Sequence, residues 1–127
     1  MDKIHISNVD HIQNDWLRVL DFYKSEISIL RKRLTEIAGK NTGHEVNKGV
    51  EHFENQFKLQ DENIDFLKHD INSNVSDISR QVRESTAGYI DASLIKLYRR
   101  LQEKYVAEEK LINELRHDFY QFAMKWM

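Results

Sequence analysis

Apolar residues recur every three or four positions along almost the whole 127-residue chain, and no proline interrupts them. This spacing places the side chains on one face of a helix, whereas a half-buried strand would alternate at every second residue. The pattern predicts helices over about residues 8–38, 43–84 and 89–127. A sheet protein of this size needs more turn residues than the four glycines present. The expected fold is therefore all-α, a single domain over residues 1–127 that forms an elongated antiparallel three-helix bundle with coiled-coil-like seams.

Two short segments that contain glycine separate the predicted helices. Gly39 suits a left-handed C-cap for the first helix, and Thr42 with Glu45 has the spacing of a capping box for the second. Either Ser85 or Asp91 suits the N-cap of the third. Turns this short make successive helices antiparallel neighbours.

Because all helices rise equally per residue, the turn positions give a rough register. This register places Trp126 beside Gly49, where a glycine would leave room for the indole. It also brings Trp16 near Glu108, whose carboxylate could accept the indole N–H.

The same register predicts a mismatch in helix length. Residue 9 of the first helix lies level with about residue 73 of the second. Residues 73–100 are then expected to project beyond the three-helix core as a two-helix extension, which would bury little apolar surface and be the least stable part.

Six histidines are the first candidates for chemistry. Glu114 and His117 have the Glu-x-x-His spacing of di-iron bundles, and Asp65 with His69 is one helical turn apart. Glu114 and His117 lie off the apolar stripe, so solvated side chains are expected, with no metal site and no cofactor. A carboxylate–histidine metal bundle completed across a dimer is an alternative.

Two segments resemble known phosphoacceptor helices. Phe66–Ile71, followed by Val75 and Ile78, is similar to that helix in sensor histidine kinases, and the segment around Leu115–Phe119 is similar to that of the sporulation-type phosphotransferases. Each resemblance covers about a dozen residues. The first lacks the proline that usually follows the histidine, and nothing resembles the kinases' ATP-binding domain. The resemblance implies a phosphotransfer module in which His69, followed by the acidic Asp70, or alternatively His117, carries the phosphoryl group.

Charge and composition argue against several other classes. The 19 basic and 21 acidic residues give a net charge of -2, so a nucleic-acid partner is not expected. There is no cysteine, and no apolar run of the roughly 18 residues that a membrane span needs. Residues 1–8 are polar and lack the apolar core of a signal peptide, so we expect a cytoplasmic protein.

Several large apolar side chains are not needed for the three seams. They are Phe22, Ile29, Leu59, Tyr120, Met124 and Met127. The seven-residue spacing of the first two and the four-then-three spacing of the last three predict shared faces near the first turn. This surplus favours a non-enzymatic interaction or scaffold protein that packs its helices against a second copy or another helical protein.

Overall fold

The computed structural model describes residues 6–84 and 90–127, with side chains from residue 8 onward. It contains three helices, α1 (Ile6–Lys40), α2 (His44–Glu84) and α3 (Ala92–Trp126), and no strand within the described residues. Helix α2 packs along both α1 and α3, and α1 also touches α3. The predicted all-α three-helix bundle is confirmed, with the apolar stripes turned inward.

Of the N-caps predicted for α2 and α3, the structure confirms the second and contradicts the first. Asp91 caps α3 as predicted, since its side chain accepts a hydrogen bond from the Ser93 N–H at 2.8 Å. Helix α2 instead begins one residue after the position predicted, and the Gly43 carbonyl accepts its first backbone bond from Asn47 at 3.1 Å. The predicted N-cap Thr42 is thus wrong, and Ser85 lies outside the described residues.

The end of α1 is capped by a side chain rather than by a glycine. Gly39 lies within the helix, which runs to Lys40, so the predicted left-handed C-cap is wrong. Asn41 Nδ2 donates to the Ile37 carbonyl at 2.9 Å and to the Trp126 carbonyl of α3 at 3.2 Å. One amide therefore satisfies terminal carbonyls of two helices, groups that a helix end leaves without partners.

The end of the bundle near the α1–α2 turn is filled by phenylalanine rings. Phe53, Phe57, Phe119 and Phe122 form a cluster in which Phe53 contacts each of the other three. A Cβ placed on Gly49 would lie 2.2 Å from Phe122 Cε1. The glycine does make room for an aromatic ring, but that ring is Phe122 and not the predicted Trp126.

Trp16 occupies an aromatic layer farther along the bundle. Its indole stacks between Tyr98 and Tyr105 of α3, with ring centroids 5.4 Å from each. The predicted indole hydrogen bond to Glu108 is wrong, because that carboxylate faces Gln60 of α2.

A buried polar layer joins all three helices near the other end. Gln13 Nε2 donates to Asn74 Oδ1 at 2.8 Å, and Asn74 Nδ2 donates to the Leu94 carbonyl at 3.3 Å. Both amide side chains are fully buried, as is Val9 one turn before Gln13. Helix α1 therefore reaches about one turn farther along its neighbours than the equal-rise register predicts. Much of the predicted two-helix projection over residues 73–100 is instead covered by α1.

Candidate interaction surfaces

All six predicted surplus residues are exposed, but the structure divides them between two faces. Five lie along the outer edge between α1 and α3, and we call them the apolar strip: Phe22, Ile29, Tyr120, Met124 and Met127. Leu59 lies on α2 and belongs to a different surface. The six surplus residues identified in the sequence therefore form two separate surfaces rather than one interaction patch.

An ion pair between α1 and α3 positions the apolar strip. Arg116 Nε lies 2.7 Å from Glu26 Oε1, and the Glu26 side chain is largely covered. Phe22 and Ile29 each lie one turn from Glu26 on α1, and Tyr120 lies one turn beyond Arg116 on α3. The strip thus runs across a fixed contact of two helices, with exposed fractions from 40% at Tyr120 to 82% at Met124.

The second surface is a groove between α2 and α3 with a volume of about 260 Å³. We call it the α2–α3 groove. Its apolar lining includes Phe66, which is 71% exposed, together with Ala107 and Leu111. Leu59 lies seven residues before Phe66 on the same face of α2, at one end of the groove.

Sequence reasoning missed Phe66 and Leu111 as surface residues because each adjoins a buried seam position. Leu67 and Ile112 are buried, so their neighbours resemble the edge of a wider core stripe. The signal that could have found Phe66 is its seven-residue spacing from Leu59, the same spacing that paired Phe22 with Ile29.

The floor of the groove carries a buried carboxyl group. Glu108 is only 6% exposed, and with its Nε2 turned toward it the Gln60 amide donates to both carboxylate oxygens, at 2.6 and 3.0 Å. Burial raises the pKa of Glu108 from 4.5 to about 7. Both residues interrupt the apolar stripes in the sequence, but only the three-dimensional register shows that they face each other.

The predicted phosphoacceptor His69 is exposed on α2, as is Asp70. The carboxylate one turn before it, Asp65, instead accepts a hydrogen bond from Lys24 Nζ of α1 at 2.6 Å. His117 is also exposed, and its Nε2 lies 3.2 Å from Gln121 Nε2. Neither histidine is paired with the carboxylate that would hold its tautomer at i−4 or i+1.

The remaining histidine candidates are dispersed over the surface. His11, His44 and His52 are exposed on different turns of α1 and α2, and His5 lies outside the described residues. Within residues 6–84 and 90–127, no three His, Asp or Glu side chains come close enough together to hold a metal ion.

Among the helices described, none has the length and apolar character needed to cross a membrane. No protein-family model, curated protein or solved structure matches the chain.

Proposed function

We propose that this chain is a non-enzymatic, cytoplasmic interaction protein that self-associates by packing its helices against a second copy. The observation that carries the proposal is the apolar strip, whose five side chains are all exposed although they adjoin the bundle's own helix contact. Burying apolar surface contributes roughly 25 cal/mol per Å². Large aligned apolar side chains on rigid helices therefore favour a protein contact over solvent.

A second copy fits the strip because a two-fold axis brings the same residues of both chains together. Apolar side chains are compatible with their own copies, whereas like charges at the centre of such a contact would repel. The charged pair closest to the strip, Glu26 with Arg116, is already neutralised within the chain. The strip can thus be covered without leaving an unpaired charge from this pair, which would be costly.

The proposal is tested by measuring the mass of the full chain by light scattering across a range of concentrations. Ile29→Glu places an unpaired charge in the strip, and we expect a lower mass with little loss of helix. Ser28→Glu is a matched control, because Ser28 is the preceding residue but lines the groove between α1 and α2. An unchanged mass with a large loss of stability would show that Ile29 belongs to the core of its own chain and would contradict the proposal.

Phosphotransfer at His69 is the second candidate function. Exposure of the imidazole beside the exposed Asp70 favours it, since a phosphoacceptor must be reached by its donor. The Lys24–Asp65 hydrogen bond argues against it, because that carboxylate is turned to α1. The test is incorporation of acid-labile phosphate from a labelled donor.

A further inference from the structure

The α2–α3 groove combines an exposed aromatic side chain with a shallow site beside it. Phe66 stands at one wall, while the short side chain of Ala107 leaves the opposite wall low. In coiled-coil packing, a protruding side chain (the knob) enters a space between side chains of the facing helix (the hole). The Phe66 ring, which is 71% exposed, has the form of a knob, and the space over Ala107 next to Leu111 has the form of a hole. The groove therefore carries both halves of an interlocking contact.

The charges at the groove are complementary across its two helices. Asp70 lines the groove from α2 and Lys104 from α3. Neither has an ion-pair or hydrogen-bond partner anywhere in the part of the chain that the structure describes. By contrast, the acidic Asp61 and Asp65 on the opposite edge of α2 are both engaged by Lys24 of α1.

A two-fold axis that runs along the groove uses both features at once, because it places α2 of one copy across α3 of the other. Within one chain Lys104 lies nearer the α1–α2 turn than Asp70, and Ala107 nearer than Phe66, because Gln60 of α2 faces Glu108 of α3. An axis tilted away from the bundle direction compensates for this offset. Asp70 then faces Lys104 of the second copy, and Phe66 faces the low wall at Ala107. The reciprocal pair forms on the other side of the axis, so each contact is made twice.

We propose that the α2–α3 groove is a two-fold contact with a second copy of this chain, in which Phe66 enters the groove of its partner and Asp70 pairs with Lys104 across the axis. The proposal rests on the proposed self-association, but it assigns a surface separate from the apolar strip. With both surfaces occupied, dimers formed at the groove would associate further through the strip.

Charge reversal and complementation test this contact. Asp70→Lys alone places lysine against Lys104 twice, and Lys104→Asp alone places aspartate against Asp70 twice. Each variant by itself should therefore raise the dissociation constant of the groove dimer at low salt, by about tenfold given two exposed pairs that turn from attraction to repulsion. When the two variants are mixed, each mixed dimer has two lysine–aspartate pairs, so the mixture should recover the wild-type association.

The measurement is analytical ultracentrifugation of each variant and of the equimolar mixture, with differently tagged chains to identify mixed dimers. Melting temperatures of the separate variants serve as the folding control. Preferential mixed dimers support the contact, since a purely structural role for either residue would not be rescued by a second chain. A mixture that associates no better than its components, or single variants that associate like the wild type, would overturn it.

Phe66→Glu separates this proposal from the proposed function. We expect loss of the groove contact, with the helix content unchanged because the ring is mostly exposed. If Phe66→Glu keeps the wild-type mass while Ile29→Glu lowers it, self-association stands and the groove contact is wrong. A wild-type chain that is monomeric at every concentration would overturn both.

Discussion

The two ends of the bundle core differ in the chemistry of their buried side chains. Near the α1–α2 turn, four phenylalanine rings meet edge to face or tilted around Gly49. Toward the other end, the core contains the amides of Gln13 and Asn74, joined to each other and to a carbonyl of α3. The first end is held by ring packing, whereas the second adds directional hydrogen bonds to its apolar packing.

The difference shows how the chain separates stability from register. Packing of aromatic rings buries a large apolar surface, and it tolerates several relative ring orientations. A buried amide pair meets its partners in one alignment only, and a one-turn slip would leave polar groups buried without hydrogen bonds. We infer that the phenylalanine cluster contributes stability without fixing one alignment, while the polar layer selects the alignment of the three helices.

Replacing Asn74 by leucine should have the largest effect and tests the polar end directly. Asn74→Leu leaves the buried Gln13 amide without its acceptor and removes the side-chain hydrogen bond to the Leu94 carbonyl, at a cost of about 3 kcal/mol in the free energy of unfolding. Gln13→Leu added to it should recover much of this loss, because Gln13 Oε1 already has no partner within the described residues. Urea denaturation measures both variants.

Asn72→Leu is the matched control for this pair, since Asn72 is exposed on the same helix. Its effect should stay within about 0.5 kcal/mol, as for other surface changes. If the double variant is less stable than Asn74→Leu alone, the two amides do not act as a pair, and the contrast between the ends is broken.

Glu108 lies between the two ends, and its titration should make stability depend on pH. Its pKa is raised by burial to about 7 in the folded chain, from 4.5. Between about pH 4.5 and pH 7 the folded state therefore holds a proton that the unfolded state releases. The contribution of Glu108 to stability is favourable below about pH 4.5 and is lost as the pH rises through about 7. Glu108→Gln should be more stable than the wild type at pH 8 by about 2 kcal/mol, and nearly equal to it at pH 5.

Urea denaturation at the two pH values, with Glu103→Gln as an exposed control, checks this expectation. The informative quantity is the difference between variant and wild type, because other groups titrate in both. A difference that is the same at pH 5 and pH 8 would show that the buried carboxyl does not titrate in this range.

The aromatic end is tested by adding one methyl group at each of two glycines. Both Gly39 and Gly49 lie within helices, where alanine normally stabilises by up to about 1 kcal/mol. A Cβ at Gly39 meets nothing within 4 Å, so Gly39→Ala should be stabilising. At Gly49 the methyl group would displace Phe122, and Gly49→Ala should lose that gain or lower stability by about 1 kcal/mol. Equal gains in melting temperature at both sites would refute a packing role for Gly49.

The sequence was sufficient for the helices and insufficient for their alignment. Stripe spacing determines which face of each helix is buried, so the all-α bundle and the exposure of Phe22 and Ile29 follow from local patterns. The alignment depends on where the turns close and on which buried polar groups find partners. A hydrophobic pattern assigns Ile12 and Val75 to the seams in preference to the adjacent Gln13 and Asn74, although these are the residues that are fully buried.

The same limitation explains why the candidate surfaces were only partly found. Counting apolar residues outside the stripes identifies exposed side chains but not the helix pair beside which each one lies. The count therefore groups Leu59 with Tyr120, although Leu59 lies on α2 at the groove beside Phe66. The positions of Asp70 and Lys104 on one groove likewise depend on the alignment of α2 with α3.

The smallest expected effect is at His69, which lies outside both ends of the core. His69→Gln changes an exposed side chain, so the free energy of unfolding should change by no more than about 0.5 kcal/mol. The mass in solution should equal that of the wild type. Incubation with a labelled phosphodonor should give no acid-labile phosphate in the wild type, because Asp65 is bonded to Lys24 and does not orient the imidazole. His117→Gln is the parallel variant for the second resemblance.

Stoichiometric phosphohistidine at position 69, abolished by His69→Gln and kept by His117→Gln, would replace the interaction function with phosphotransfer. It would also place the chemistry beside Asp70 on the groove, where a phosphoryl group would add negative charge next to the pair proposed to join two copies.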